Sequence, residues 1–234
     1  MSEFSDTITQ LGDALVEVAD AEKAEGMAAY TKEQFPYLGV QAGDRRLASK
    51  SLLKAGKSMD PEELLSLAEA LWSQPEREFH YVGMDLLRAG AKNLRATDLP
   101  RVRARIVATP WWDTVDSLAI HTTGTMITTH PQLVEEMDLW VESDDIWIAR
   151  TAILHQLMFK DRTDTNRLFT YCEMRMADTE FFIRKAIGWA LRHYARTDPN
   201  AVRSFVAGER GIALRALQTR SAKKPLDVDC DEQR

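Results

Sequence analysis

Two tryptophans and two aspartates lie within residues 111–116, which have the sequence WWDTVD. An indole face attracts cations through its quadrupole, and a carboxylate attracts them by Coulomb attraction. Rings and charges this close together are suited to hold a flat, cationic group. If a helix begins at residues 109–110, Trp112 and Asp116 project from one face because they are four residues apart. We interpret the two side chains as one candidate site.

The same segment also has a purely structural interpretation. Asp113 can cap the helix, with Asp116 three residues later as its capping-box partner and both indoles packed in the core. Helix caps are far more common than catalytic carboxylates, so this spacing alone favours capping over chemistry.

A second candidate lies on the predicted helix 179–196. Its apolar stripe contains Ile183, Ala186, Ile187, Ala190, Leu191 and Tyr194. Because successive residues of a helix are rotated by about 100°, Trp189 points away from this stripe. Three basic residues lie within roughly 60° of it on the helical wheel: Lys185, Arg192 and Arg196. An indole among cations suits a phosphodiester chain with bases or sugars to contact, whereas the alternative is an indole that packs on the neighbouring repeat.

Arg150 lies near the centre of an apolar stripe on the predicted helix 145–159. The stripe contains Ile146, Trp147, Ile153, Leu154, Leu157 and Met158. A guanidinium cannot shed its charge, so burial there requires an anionic partner. Asp116 and a DNA phosphate are candidates, and a structural salt bridge to Asp144 or Asp145 is the alternative.

The elements that would position these residues are all helical. Apolar residues recur at spacings of three and four, and no alternating strand of useful length is present. The predicted helices are 4–18, 24–33, 43–56, 61–73, 76–94, 98–108, 111–126, 131–142, 145–159, 164–175, 179–196, 199–206 and 209–219. Asp60 and Asp198 each precede a proline at a first helical position. Stacked short helix pairs of ~40 residues predict an all-α, HEAT-like or armadillo-like solenoid with a concave basic face.

Length and composition favour one intracellular domain. The chain has 234 residues, and we expect a single domain over 1–220 followed by a charged, disordered tail at 221–234. The absence of a long apolar run or a signal-like start predicts a cytoplasmic protein without a membrane contact. Cys172 and Cys230 are far apart, the histidines have no ligand spacing and no glycine-rich phosphate loop is present. We therefore expect no metal and no cofactor, and we expect a monomer.

Charge is distributed unevenly along the chain. The formal net charge is −6, which argues against nucleic-acid binding until the distribution is considered. Residues 1–35 carry eight acids and two bases, 131–145 carry six acids and no base, and 175–224 carry eleven bases and four acids. The last segment is compatible with a basic binding face, although a solvated basic helix is the commoner explanation.

Several segments, in this order, resemble the AlkD family of bacterial DNA glycosylases. The three main ones are WWDTVD at 111–116, WIARTAIL at 147–154 and FIRKAIGWALR at 182–192. The N-terminal half of that family is similar to FPYLGV at 35–40, Arg45-Arg46, EREFHY at 76–81 and DLL at 85–87. The resemblance spans about residues 24–215.

This resemblance implies a HEAT-like solenoid that cups duplex DNA and excises N7- and N3-alkylated purines without flipping the damaged base. It implies that Asp116 is the catalytic carboxylate, with Trp112 and Trp189 as aromatic cleft walls. Arg150 would support catalysis or the DNA backbone, Arg192 and Arg196 would contact phosphates, and Tyr30 resembles a further cleft aromatic. Ala149 departs from the family pattern, in which basic residues are frequent at this position.

Two other functions are compatible with the sequence. A helical-repeat scaffold that binds a protein partner is equally permitted by the fold, and the overall acidity favours it. A relative that binds DNA without excising bases is the other, and the presence of both Trp112 and Asp116 counts against it.

Overall fold

The computed structural model describes residues 4–208, and the regular elements in this range are all helical. This confirms the all-α prediction. The α-helices are α1 (Ser5–Val16), α2 (Ala21–Tyr30), α3 (Ala42–Ala48), α4 (Lys50–Gly56), α5 (Pro61–Trp72), α6 (Arg77–Gly90), α7 (Leu99–Val107), α8 (Trp112–Ser117), α9 (Gly124–Thr129), α10 (Val134–Trp140), α11 (Ile146–Leu154), α12 (Thr165–Arg175), α13 (Phe181–Tyr194) and α14 (Pro199–Ala207). Single 3-10 turns occur at Ala96–Asp98, Pro131–Leu133 and Lys160–Arg162. The predicted helix 209–219 and the tail 221–234 lie outside the described residues.

Aspartate caps begin many of these helices. The side chain of Asp60 accepts from the backbone N–H of Glu62 at 2.8 Å, and that of Asp198 accepts from two backbone N–H groups at 3.0 and 2.9 Å. Both predicted Asp-Pro starts are therefore confirmed. Asp145 caps α11 in the same way, with bonds of 2.8 and 3.3 Å.

Two predicted helices are divided. The helix predicted over 43–56 breaks at Ser49, whose hydroxyl donates to the Arg45 carbonyl at 2.8 Å and ends α3, a local bond that competes with helix continuation. The helix predicted over 111–126 passes through a π-helical segment, Leu118–Thr123, between α8 and α9. The first residue of α9 is Gly124, where a Cβ would overlap the His155 carbonyl oxygen, so α9 and the end of α11 approach closely.

The helix predicted over 145–159 is shorter than expected. It ends at Leu154, and Met158, expected in its apolar stripe, is 48% exposed. Arg150 remains within the helix and is buried. Beyond the helix end, Leu157 is buried as the predicted stripe requires, and Met158 is not.

The described residues form two compact units, the first ending at Met158 and the second beginning at Phe159. In the first unit, sequence-adjacent helices pack on each other, including α5 on α6 and α10 on α11, as is typical of helical repeats. Helix α11 also packs on α7, on α8 and on the π-helical segment. In the second unit, α13 packs between α12 and α14. The single domain over 1–220 and the concave basic face stay predictions.

The loop before α3 is fixed by a buried carboxylate. The side chain of Glu78 accepts from the backbone N–H groups of Leu38, Gly39 and Val40 at 3.1, 2.9 and 3.0 Å. Gly39 has φ +84°, and a Cβ there would overlap the Asp20 carbonyl oxygen, so the turn requires glycine. The loop is thereby held against α6. Within residues 4–208, no helix is both long and apolar enough to cross a bilayer.

Candidate functional site

Asp116 and Arg150 form an ion pair with two hydrogen bonds. Nε of Arg150 donates to Oδ1 of Asp116 at 2.6 Å, and Nη2 donates to Oδ2 at 2.7 Å. The side chains are 14% and 5% exposed, respectively. In the structure Arg150 thus binds Asp116, one of its predicted partners. Asp145, another predicted partner, caps the start of α11.

The ionisation of Asp116 is affected by opposing influences. Burial raises the pKa of Asp116 above its ordinary value, the Arg150 guanidinium lowers it, and the charge of Asp113 raises it. Both Asp116 oxygens accept a hydrogen bond, which is the arrangement of an ionised carboxylate. The site therefore holds a negative charge in a largely dry environment.

Aromatic side chains surround the start of α8. The rings of Trp112 and Tyr30 meet edge to face with centroids 5.8 Å apart. Trp112 is half-buried and Tyr30 is 55% exposed, so this aromatic pair reaches the surface of the first unit. Trp111 packs on Trp147, with centroids 5.9 Å apart. Trp112 and Asp116 lie on the same short helix with the spacing that places them on one face.

The capping-box interpretation of this segment is wrong. The residue that precedes α8 is Trp111, and no side chain caps the helix there. Asp113 lies inside α8 and binds Arg77, and Asp116 binds Arg150. Both carboxylates thus bind arginines from other helices, and Asp113 also accepts from the backbone N–H of the next residue, Thr114, at 2.7 Å.

Sequence reasoning missed Arg77, which is fully buried. Its Nη2 and Nε donate to the two carboxylate oxygens of Asp113 at 2.5 and 3.2 Å. Tyr81 donates its hydroxyl to the same carboxylate at 2.7 Å. The EREFHY segment contains both Arg77 and Tyr81, and a charged residue at the first position of a helix gives no signal of burial.

His80 is neutral beside this cluster. Burial lowers the pKa of His80, and the charge of Arg77 adds to the effect. Its Nδ1 lies 3.1 Å from Nη1 of Arg77 and its Nε2 lies 2.9 Å from the Gln74 carbonyl oxygen. Neutral imidazole satisfies both contacts when Nδ1 accepts and Nε2 donates.

The second unit carries the other predicted site residues on α13. Five of the six residues predicted for its apolar stripe are buried, and Tyr194 is half-buried. Trp189 is half-buried, while the basic residues around it are exposed: Lys185, Arg192 and Arg196. Nζ of Lys185 lies 5.3 Å from the centroid of the Phe181 ring. The indole therefore shares its helix with two exposed cations, Lys185 and Arg192, as predicted. The helix ends at Tyr194 and not at 196 as predicted, so Arg196 lies in the turn that follows.

The structure thus distributes the predicted site residues over both units. Tyr30, Trp112, Asp116 and Arg150 cluster around α8 in the first unit. Lys185, Trp189 and Arg192 share α13 in the second, and Arg196 lies two residues beyond its end. Their roles in binding and chemistry stay predictions.

Comparisons with known proteins identify the family of this chain. A family model described as DNA alkylation repair enzyme matches residues 11–226. No curated protein matches the chain. A solved structure described as a predicted DNA alkylation repair enzyme from Enterococcus faecalis is 31% identical, with a TM-score of 0.78 over 89% of this chain and 97% of that one. The chain therefore belongs to the DNA alkylation repair enzyme family.

Proposed function

We propose that this protein is a DNA glycosylase that hydrolyses the N-glycosidic bond of cationic N7- and N3-alkylated purines in duplex DNA. Its substrates would be lesions such as 7-methylguanine and 3-methyladenine, and its product an abasic site for base excision repair. The observation that carries the proposal is the buried ion pair between Arg150 of α11 and Asp116, which lies on the helix that also presents Trp112. Family membership supports DNA alkylation repair as the setting.

The chemistry of the lesion explains why a single carboxylate suffices. An N7- or N3-alkylated purine carries a formal positive charge and departs as a neutral base. Its glycosidic bond is already weakened, so the leaving group needs no general acid. Ordinary glycosidases use two carboxylates because their leaving oxygen must be protonated.

Asp116 would stabilise the charge that develops during bond cleavage. The deoxyribose acquires oxocarbenium character, and a carboxylate in a dry site stabilises this charge more strongly than one in water. The same group can orient the attacking water. Arg150 holds both carboxylate oxygens by N–H donors, so the carboxylate is positioned before the substrate binds.

The aromatic residues of each unit would contact the DNA through their ring faces. In the first unit, the face of Trp112 would attract the cationic sugar and lesion, and Tyr30 would extend the aromatic surface beside it. In the second unit, Trp189 would offer a further ring face to the DNA. Excluding bulk water strengthens the electrostatic interactions at Asp116. The positive charge of the lesion already activates its glycosidic bond, so the base need not be flipped into a recognition pocket. Neutral lesions such as uracil do need such a pocket.

The basic residues of α13 would hold the duplex. Lys185 and Arg192 are exposed on the helix that carries Trp189, and Arg196 is exposed just beyond its end. Contacts from such cations to phosphates give affinity without reading sequence. This arrangement suits an enzyme that must examine any DNA sequence for damage.

The direct test is incubation of the protein with methylated duplex DNA, followed by chromatographic identification of released bases. We expect release of 7-methylguanine and 3-methyladenine above the spontaneous rate, and no release of uracil from a uracil-containing duplex. Binding without release would instead indicate a relative that does not cleave. Neither binding nor release would favour a protein-binding scaffold.

A further inference from the structure

We propose that Arg77 and Asp113 form a positioning pair that holds α8 in the orientation required by Trp112 and Asp116. The inference rests on the proposed function and deepens it, since neither residue would touch the substrate. The pair acts through the helix that carries the two site residues.

Helix α8, Trp112–Ser117, continues directly into the π-helical segment and α9, so its C-terminal end is fixed by the helix that follows. Its N-terminal end has no side-chain cap. The start of α8 is instead held by tertiary contacts. Asp113 and Asp116 supply two of them, because each carboxylate is held by an arginine from another helix, Arg77 of α6 and Arg150 of α11.

Arg77 also binds the chain that enters α8. Its Nη1 donates to the Thr109 carbonyl oxygen at 2.9 Å, and its Nη2 donates to the Thr114 hydroxyl at 3.0 Å. One guanidinium thus binds the entry turn, the carboxylate of Asp113 and the next residue of the helix. A planar fork of five N–H donors makes this possible, whereas a lysine ammonium cannot reproduce it.

The entry turn requires such support. Thr109 has φ +45°, a left-handed conformation that costs a non-glycine residue on the order of 1–3 kcal/mol and persists only when its surroundings impose it. Nε1 of Trp72 donates to the neighbouring Ala108 carbonyl oxygen at 3.3 Å. Thr109 lies three residues before Trp112, so the angle of this turn determines where the indole points.

Aromatic rings seal the pair from water. The Arg77 guanidinium carbon lies 3.7 Å from the Phe35 ring centroid and 5.7 Å from that of Tyr81. Burial raises the pKa of Tyr81, so its hydroxyl stays protonated and donates to Asp113. A fully buried arginine with its charge compensated and its donors bound has one arrangement available, which is what a positioning element requires.

The negative charge of Asp113 also affects the pKa of Asp116. Among the described residues, Arg150 from α11 favours the ionised form of Asp116, and the negative charge of Asp113 on α8 itself opposes it. Removing the negative charge of Asp113 lowers the pKa of Asp116, because a like charge no longer opposes its ionisation. A merely structural role for Asp113 would not move the pH dependence of catalysis.

The test compares three variants with the wild type in single-turnover release of 7-methylguanine from methylated duplex DNA. Asp113→Asn removes the charge at constant size, and Tyr81→Phe removes only the hydroxyl that binds Asp113. Glu69→Gln is the matched control, because Glu69 forms a comparable two-point pair with Arg101, at 2.8 Å for each bond, away from α8. Far-UV circular dichroism and binding to an unmodified duplex are measured for each protein.

We expect Asp113→Asn to slow release about ten- to a hundredfold with duplex binding retained, since a misplacement of about 1 Å can cost 10²-fold. In the plot of release rate against pH, the acid limb of Asp113→Asn should move to lower pH, because the pKa of Asp116 falls. Tyr81→Phe should slow release by a smaller factor than Asp113→Asn. Glu69→Gln should match the wild type. If Asp113→Asn does not fold, the rate of Tyr81→Phe decides alone.

Two failures are distinguishable. An inactive wild type would overturn the proposed glycosylase function itself. An active wild type whose rate and pH profile survive in Asp113→Asn, or whose rate survives in Tyr81→Phe when the former does not fold, would overturn only the positioning role. Equal losses of rate and duplex binding, with an unmoved acid limb, would likewise overturn it.

Discussion

Arg150 approaches Asp116 from 34 residues further along the chain and binds both of its carboxylate oxygens, at 2.6 and 2.7 Å. The aspartate side chain keeps 14% of its surface exposed and the arginine 5%. The arginine is thus the more deeply buried partner, and the carboxylate retains the greater access to solvent. This relationship makes Arg150 a support of Asp116 as well as part of the core.

Loss of this support should be measurable in stability. Arg150→Met leaves a buried carboxylate without its partner, so the free energy of unfolding should fall by about 3–5 kcal/mol. Arg150→Lys keeps the charge but cannot make the two-point contact, and its free energy of unfolding should fall by a smaller amount. Denaturant unfolding measures both. Glu69→Gln breaks a more exposed arginine pair and should cost about 1 kcal/mol or less; an equal loss for Arg150→Met would contradict the burial argument.

Trp112 should contribute through its ring face. Trp112→Leu keeps an apolar side chain but removes the quadrupole, so release of 7-methylguanine should slow by the equivalent of about 0.5–2 kcal/mol, roughly two- to thirtyfold. Trp112→Phe retains a weaker face and should be affected less. Single-turnover rates with saturating enzyme make the comparison. The interpretation fails if leucine and phenylalanine give the same rate as tryptophan.

The basic face formed by α13 and the turn that follows it should determine how DNA binding depends on salt. Because each bound phosphate releases counterions, Arg192→Ala or Arg196→Ala should each reduce the slope of log affinity against log salt by about 0.9. Fluorescence anisotropy with a labelled duplex over a salt series measures the slope. Lys57→Ala, which removes an exposed cation on the first unit, serves as the control. A salt response that is flat in the wild type would contradict phosphate binding by this face.

His80 should make the fold sensitive to acid. Its pKa is lowered by burial and by Arg77, so the folded state favours the neutral ring. Its contribution to stability is complete above the ordinary histidine pKa of roughly 6.5 and is lost as pH falls towards the lowered value.

The check is the free energy of unfolding at about pH 7.5 and about pH 5, for the wild type and His80→Gln. The loss between the two conditions should be smaller in the variant. It should not vanish, because the pKa values of His121 and His193 are lowered too. An identical loss in both proteins would show that His80 is not responsible.

Local features of the fold could be predicted from the sequence. Helices α5 and α14 begin where Asp-Pro pairs indicate, because capping depends on residues adjacent in the chain. The break at Ser49 and the π-helical segment Leu118–Thr123 could not be predicted in this way. The π-helical segment is followed by Gly124, whose backbone lies close to the His155 carbonyl oxygen. Such a contact joins segments that are distant in sequence, so no local pattern predicts it.

The candidate site was predictable to a similar degree. A buried arginine requires an anion, and this requirement narrowed the partners of Arg150 to a few carboxylates or a phosphate. The role of Arg77 could not be foreseen, because its burial results from Phe35, Tyr81 and Asp113, which approach from three different segments. No periodicity within one helix reveals such an enclosure.

The most direct measurement of the central claim is the single-turnover release of 7-methylguanine by Asp116→Asn. The substitution keeps the size of the side chain and removes the charge proposed to stabilise the oxocarbenium ion. We expect release to fall on the order of 10²–10³-fold, with binding to the same duplex retained and the far-UV spectrum unchanged. Release at the wild-type rate by a folded Asp116→Asn protein would contradict the account.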